Sequence, residues 1–418
     1  MEIQTNKNKP LIMHVDLNSC FATAEQCVNP HLRGKPLVVC AYASPNGCVV
    51  APSIEAKRFG IKTGMTLRDA RLLYPKVIVR TPTPSLYRDI HTKFKKIFSD
   101  YSPNVIPKSI DEAVIDFSES SALFSKDLTE IGKEIKLRLR TEVNEWMSCN
   151  VGIGTNRFLA KTAAGLHKPD GIDVITSSNL EEVYKSLKLT DLCGINTRFE
   201  ARLNAYGILT PMQFYEAPLQ KLKKQVFRSI LGYYWYLRLR GHEIDSVVFG
   251  RKSFGNSYAL REQTEKQEKL SPLLMKLCEK TGRRLRRHEH SAQGVAVWVL
   301  FTDGTTWHQS RKQDIPLYTT HDIYIKAMRL LNKTGYEKKV RNLAVSVYDL
   351  VDSKSEQLEM FKVATHDVSD AADDMDDRYG EFTVVPALMA GMNNTIIDRV
   401  AFGSVSELED LYSDKATI

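Results

Sequence analysis

Ser109-Ile110-Asp111-Glu112-Ala113-Val114-Ile115-Asp116-Phe117 is an apolar run opened by two adjacent carboxylates. Ala113 to Phe117 reads as a buried strand. Val105–Ile106 ahead of it predicts a hairpin, with the acidic pair between the strands or at the start of the second. Leu11 to Leu17 has the same character and carries His14 and Asp16. A carboxylate in a strand of buried type is costly unless it is paired or metal-bound. Three such groups from adjacent strands repel one another, and a divalent cation relieves that repulsion. Oxygen-only ligands suit Mg²⁺, which shares substrate phosphates. The matching chemistry is two-metal phosphoryl or nucleotidyl transfer. From spacing alone, surface residues beside a turn are the simpler reading, because acidic pairs are common.

Outward from these strands, apolar segments alternate with helical ones. Phe21 to Val28 reads as a helix, Pro36 to Tyr42 as a strand, and Ser53 to Gly60 as a short helix with a Ser cap and a Gly stop. Val77 to Arg80 reads as a strand, Tyr87 to Tyr101 as an amphipathic helix and Leu128 to Trp146 as a long helix. Asn150 to Ile153 is a strand, and Phe158 to Leu166 a helix. This is an α/β or α+β domain. Glu181 to Arg240 is helical in character throughout. From Val247 a β-α-β-β-α-β order follows, ending at strand Asn342 to Tyr348. Asp373 to Tyr379 predicts a short acidic helix, with a strand over Gly380 to Pro386.

The chain of 418 residues is long enough for several cores. Its formal charge of +8 hides an asymmetry. Asp352 to Ile418 holds 15 acidic and 5 basic residues, a net of −10, so the preceding body carries +18. A basic body with an acidic tail fits a nucleic-acid binder, or more plainly an uneven solvated surface. Seven scattered cysteines without a C-x-x-C argue against disulfides and zinc and point to a reducing cytoplasm. Met1 to Pro10 is polar, which predicts no secretory signal, and no apolar stretch is long enough for a membrane span.

Val15-Asp-Leu-Asn-Ser-Cys-Phe-Ala-Thr-Ala-Glu25 and Gly34-Lys-Pro-Leu-Val-Val-Cys40 resemble the opening of the Y-family translesion DNA polymerases, the DinB/UmuC group. Gly47-Cys-Val-Val-Ala-Pro-Ser-Ile-Glu-Ala-Lys-Arg-Phe-Gly60, Ser109-Ile-Asp-Glu-Ala113, Val151-Gly-Ile-Gly-Thr-Asn-Arg-Phe-Leu-Ala-Lys161 and Lys168-Pro-Asp-Gly171 follow in family order. The resemblance runs from residue 11 to about 350, and the Gly47 block leans toward the UmuC branch. It implies an α+β, multidomain right hand: palm over 1–19 and 80–175, small fingers over 20–79, a helical thumb over 176–240, a βαββαβ little finger over 241–351, and an acidic tail over 352–418. Asp16, Asp111 and Glu112 fall on the metal carboxylates for two Mg²⁺ ions, joined by the Leu17 carbonyl. Phe21 falls on the steric gate, where a ring under the sugar excludes a 2′-hydroxyl and selects dNTPs. Lys168 and Lys57 fall on triphosphate positions; Arg58 and the backbone around Asn18, Ser19, Cys20 and Phe21 are further contacts. Ala51 and Ile54 depart from the DinB pattern, having no polar donor where Thr and Tyr often stand. Ser19 and Cys20 replace bulkier aromatics, which implies a looser pocket.

The segment from Leu192 to Ile208 resembles the family's helix–hairpin–helix, with Gly194 and Asn196 at the turn that offers amides to primer–template DNA. Asn tolerates the left-handed conformation expected of the second turn residue. Residues 240–350 hold 20 basic and 12 acidic side chains. Arg283, Arg284, Arg286 and Arg287 form the densest cluster, and a helical stripe of them is expected to follow a phosphate backbone. Gln357, Leu358, Met360 and Phe361 resemble the pentapeptide that inserts into the sliding clamp. The acidic tail is expected to be repelled by DNA, leaving that peptide free. The reading is an error-prone DNA polymerase without proofreading, acting as a monomer in the cytoplasm at the nucleoid. Its alternative is a catalytically inactive DNA-binding accessory of the SOS response; a nucleotidyl cyclase-like enzyme would share the carboxylates but not the basic little finger.

Overall fold

Alternation along β1 (Ile12–Leu17) sorts its side chains onto two faces. Met13, Val15 and Leu17 enter a large apolar core with Ala113, Ile115 and Phe117. Ile12 faces the other side, packed with Val114 and Ala160. His14 and Asp16 share that second face by the two-residue period. The computed structural model describes residues 3–124, 126–246, 250–353, 363–392 and 395–396. The chain divides into two units, Met1–Val247 and Val248–Asp398.

The first unit contains two sheets. β2 (Leu37–Cys40), β3 (Val49–Pro52) and β4 (Ile78–Arg80) form the smaller one, in the order β3-β2-β4. β5 (Asn104–Pro107), β6 (Glu112–Asp116), β7 (Cys149–Gly154) and β8 (Ile172–Ile175) join β1 in the order β5-β6-β1-β7-β8. β5 and β6 are the expected antiparallel hairpin. The helix Leu128–Arg138 ends earlier than its pattern predicts, passing into a wide turn over Leu139–Val143. Cys20, Phe21, Ala22 and Ala24 of the helix Cys20–Val28 are buried in the core under the large sheet. The same core takes in Leu37 and Val39 of β2 and Ala51 of β3, and the helix packs against both of those strands. Short helices between Leu180 and Leu239 enclose a separate core around Tyr184, Phe214 and Trp235.

The first unit reaches past residue 241. Thr155 Oγ1 donates to the Gly241 carbonyl at 3.0 Å, Asn156 Nδ2 to His242 O at 2.9 Å, and Arg157 Nη1 to Asp245 O at 2.6 Å. These contacts hold residues 241–245 on the first unit, whereas the resemblance implies a little finger starting at 241.

In the second unit, β9 (Ser253–Thr264), β10 (His290–Phe301), β11 (Thr306–Leu317) and β12 (Val340–Asp352) form an antiparallel sheet ordered β11-β10-β12-β9. The helices Gln267–Arg287 and Thr320–Leu331 bury Leu274, Leu277, Ile323 and Ala327 against Val295, Val297, Val345 and Val347. The β-α-β-β-α-β order is the expected one. A helix Val363–Tyr379 follows, longer than Asp373 to Tyr379 alone predicts. Gly380 to Pro386 forms turns rather than a strand, and Asp376 fastens it by accepting from Phe382 N at 3.1 Å and Val384 N at 3.0 Å.

Candidate active site

Asp16 in β1 and Glu112 in β6 are direct antiparallel partners. The backbone of Asp111 is tied to the same place, because Leu17 N donates to Asp111 O at 2.9 Å. The turn between β5 and β6 thus delivers the acidic pair to the end of β1. Ser109 Oγ donates to Asp111 Oδ1 at 2.5 Å and orients that carboxylate. Burial pushes Asp111 above the ordinary carboxylate range, and the charges of Asp16 and Glu112 push it further. Burial also raises Asp16, against the pull of Lys168. Burial opposes ionisation of Glu112 too, but its hydrogen bond and ion pair with Lys161 win and hold it low. His14, buried beside Glu112 at 3.7 Å, is pushed down to about 3 by desolvation and is neutral at pH 7.

Two lysines answer these charges. Lys161 Nζ donates to Glu112 Oε2 at 2.6 Å, and Lys168 Nζ to Asp16 Oδ2. Lys161 stands in the helix Arg157–Leu166, which lies directly on β7. Glycine makes that approach possible: a Cβ at Gly152 would stand 2.0 Å from Ala160 O and 2.1 Å from Ala164 N. At Gly154 it would stand 2.6 Å from Ala160 N. The two glycines, spaced as in a dinucleotide loop without its third glycine, therefore serve helix-on-strand packing. In the sequence Lys161 is legible only as the last residue of a motif, and nothing around it announces a partner on β6.

Asn18 to Phe21 follow directly on the end of β1. Asn18 N donates to Ser148 O at 2.9 Å, and its side chain donates to Ser148 Oγ at 3.1 Å. Ser19 takes the left-handed conformation, φ 49°, and starts the helix Cys20–Val28. Cys20 and Phe21 are buried, with Phe21 stacked on Tyr87. Lys57 and Arg58 end the short helix Ile54–Arg58, capped by Ser53. Desolvation and the Lys168 charge lower Lys57, and Asp16 and Asp111 pull it back up, so it lies within electrostatic reach of these carboxylates.

The donor set of Asp16, Asp111 and Glu112 is all oxygen and fits a hard divalent cation. Two ammonium groups, on Lys161 and Lys168, balance charge on Glu112 and Asp16. Among the described residues, no three His, Cys, Asp or Glu side chains are gathered closely enough to hold a metal as they stand.

Residues 15–165 match the model of the impB/mucB/samB family, and residues 251–360 match its C-terminal domain. The DNA polymerase IV of Pelotomaculum thermopropionicum is 33% identical over 385 residues, covering 90% of this chain and 94% of the relative. The chain belongs to the Y family of DNA polymerases. It is, accordingly, a DNA-directed DNA polymerase. The DNA polymerase IV of Bacillus anthracis is 30% identical over 400 residues, covering 92% and 94% of the two chains. A solved Y-family DNA polymerase chimera built on Dbh shares the fold, with a TM-score of 0.72 at 23% identity, covering 81% of this chain and 99% of that one. DinB from Sulfolobus solfataricus gives 0.53 at 22% identity, covering 82% and 99%. These curated relatives are DNA polymerases IV, so they lend no support to the lean of the Gly47 block toward UmuC.

Two expected DNA contacts of this Y-family polymerase lie differently from their sequence reading. Gly194 does take positive φ, 92°. Asn196 does not: it is extended, and its side chain caps the helix Thr197–Asn204 by accepting from Arg198 N and Phe199 N at 3.1 and 3.0 Å. The Asn196 side chain thus serves as a helix cap rather than as the left-handed second residue of the turn. The arginine row is also not a free stripe. Arg286 makes a bidentate pair with Asp373 at 2.6 and 2.9 Å, and Arg283 and Arg287 both reach Asp377, at 2.5 and 2.6 Å. Arg284 turns to the Gly255 carbonyl on β9 at 3.0 Å. The acidic helix is the counter-charge of the arginine helix, because opposite charges on one chain meet at the highest local concentration. The clamp-like residues Gln357, Leu358, Met360 and Phe361 lie outside the described residues.

Proposed function

We propose that the chain is an error-prone translesion polymerase that adds dNTPs to a primer 3′-hydroxyl along a template, without proofreading. The observation that carries this is the in-register pair Asp16 and Glu112 with Asp111 adjoining, inside a family-matching sequence. The large sheet serves as palm, the helix Cys20–Val28 with β2 to β4 as fingers, the Leu180–Leu239 helices as thumb, and the second unit as little finger.

Asp16, Asp111, Glu112 and the Leu17 carbonyl would hold two Mg²⁺ ions. When bound, the ions supply Lewis-acid activation of the primer hydroxyl and charge neutralisation of the triphosphate. Lys161 stays on Glu112 and keeps it ionised, while Lys168 is free to leave Asp16 for phosphate. Lys57, Arg58 and the backbone around Asn18 to Phe21 complete the phosphate cradle. Ala51 and Ile54 offer no donor, so the lysines carry more of the affinity here. Phe21 excludes the ribose hydroxyl.

The thumb turn at Gly194 and Asn196 holds DNA backbone. With Arg283, Arg286 and Arg287 engaged by the acidic helix, the little finger's grip falls to exposed residues such as Arg311 and Arg341 on β11 and β12. Gln357 to Phe361 docks on a sliding clamp, and the site of action is the cytoplasm, at the nucleoid, as a monomer. No helix among the described residues is long and apolar enough to cross a membrane.

The test is extension of a primer across an abasic template position with Mg²⁺ and dNTPs. Insertion opposite the lesion and retention of mismatched ends are expected; a chain that stalls before every lesion and removes mismatches contradicts the reading. Mg²⁺ is also expected to raise the melting temperature of the wild type and not of Asp111→Ala.

A further inference from the structure

Phe21 and Tyr87 stack nearly parallel, with centroids 4.3 Å apart and planes 10° from parallel. Tyr87 comes from the helix Pro84–Ser99 and is fully buried. Its hydroxyl donates to Glu25 Oε1 at 2.8 Å. Glu25 sits four residues after Phe21, on the same helix face. Its carboxylate is buried, and Arg80 Nε at the end of β4 stands 3.5 Å from Oε2. A buried carboxylate costs free energy unless it is hydrogen-bonded and paired. The acid at Glu25 is thus held from two sides, and what it holds in turn is the ring behind Phe21.

A bulky ring rejects a 2′-hydroxyl only if it cannot give way. Phe21 alone, on a short helix, could turn about its side-chain torsions. Tyr87 blocks that retreat, and Glu25 keeps Tyr87 in place. Arg80 anchors the acid to the end of β4 in the smaller sheet, while Phe21 and Tyr87 sit in a core lined by strands of both sheets. We propose that Glu25, Tyr87 and Arg80 are positioning residues that stiffen the Phe21 ring and so set how strongly the pocket discriminates ribose from deoxyribose. This rests on the reading of Phe21 as the sugar gate.

The experiment is single-nucleotide incorporation of a dNTP and its matching rNTP by the full chain, its Glu25→Ala, Glu25→Gln, Tyr87→Phe and Phe21→Ala variants, and the Phe21→Ala/Glu25→Ala double variant. Glu25→Ala is expected to lower the dNTP:rNTP selectivity about tenfold, mainly through a lower KM for the rNTP, as loss of a hydrogen bond to a charged group would do. Tyr87→Phe, which keeps the ring without its hydroxyl, should share that loss; it carries the same test if Glu25→Ala does not fold. Glu25→Gln keeps an oxygen acceptor for the Tyr87 hydroxyl and should restore most of the selectivity. In the Phe21→Ala background, Glu25→Ala should add nothing. Selectivity that stays at the wild-type level in Glu25→Ala and Tyr87→Phe, or rates that fall in parallel for both sugars, overturns the proposal. If Phe21→Ala relaxes selectivity while these two do not, only the positioning role is lost; if Phe21→Ala itself changes nothing, the gate reading falls and the proposal with it.

Discussion

At the scale of single residues, position on a strand decides chemistry. Asp16 points to the face opposite Val15 and Leu17, so a polar end on an otherwise buried strand meets Glu112 rather than the core. Spacing alone favours surface residues beside a turn, because acidic pairs are common; only the family resemblance singles these carboxylates out in the sequence. Lys161 is not singled out, because a lysine on a helix ordinarily reads as solvated; only the three-dimensional meeting with Glu112 gives it a role. Phe21→Ala is expected to admit rNTPs, increasing their incorporation at least tenfold in a primer-extension assay, about 1.4 kcal/mol of lost discrimination; unchanged sugar selection would refute the gate. Lys161→Ala leaves the half-buried Glu112 without its cation, so Glu112 should titrate at higher pH. The acid limb of the pH–rate profile should then move upward, since a raised carboxylate pKa means that proton binding silences the site at higher pH. A profile that keeps its acid limb would show that Lys161 does not set the ionisation of Glu112.

Secondary-structure elements were the most legible level. The short apolar runs of β1 and β6, and the Ser and Gly punctuation of the short finger helix, are local signals that tertiary packing did not override. Boundaries were less legible, because they depend on contacts between distant segments. Residues 241–245 belong to the first unit through bonds to Thr155, Asn156 and Arg157, which no composition change announces. The glycines of β7 illustrate the same point, since their need arises from a helix laid on the strand. Gly152→Ala should destabilise the first unit by about 3 kcal/mol, through overpacking against Ala160 and Ala164. Urea denaturation measures this; a change under about 0.5 kcal/mol would show that the helix can shift without cost.

In the whole molecule, the net charge of the tail proved a poor guide to its place. The 15 acidic residues from Asp352 onward suggest a segment repelled by DNA. Yet Asp373 and Asp377 of the helix Val363–Tyr379 are paired with the arginines that the sequence alone assigns to DNA. Pairing between distant segments of opposite sign has no local signature, which is why neither assignment anticipates it. Asp373→Ala leaves the buried Arg286 guanidinium without its bidentate partner and should cost the second unit about 3 kcal/mol or more. Hydrogen exchange of the helix Gln267–Arg287 reads this directly; undiminished protection would mean that the acidic helix contributes nothing to the fold. The central claim, that Asp16, Asp111 and Glu112 carry nucleotidyl transfer, is tested most directly by primer extension with Asp111→Ala beside the wild type, with primer–template affinity measured in parallel. Extension should fall by about a thousandfold or more while DNA affinity is retained; extension that persists in the variant would contradict it.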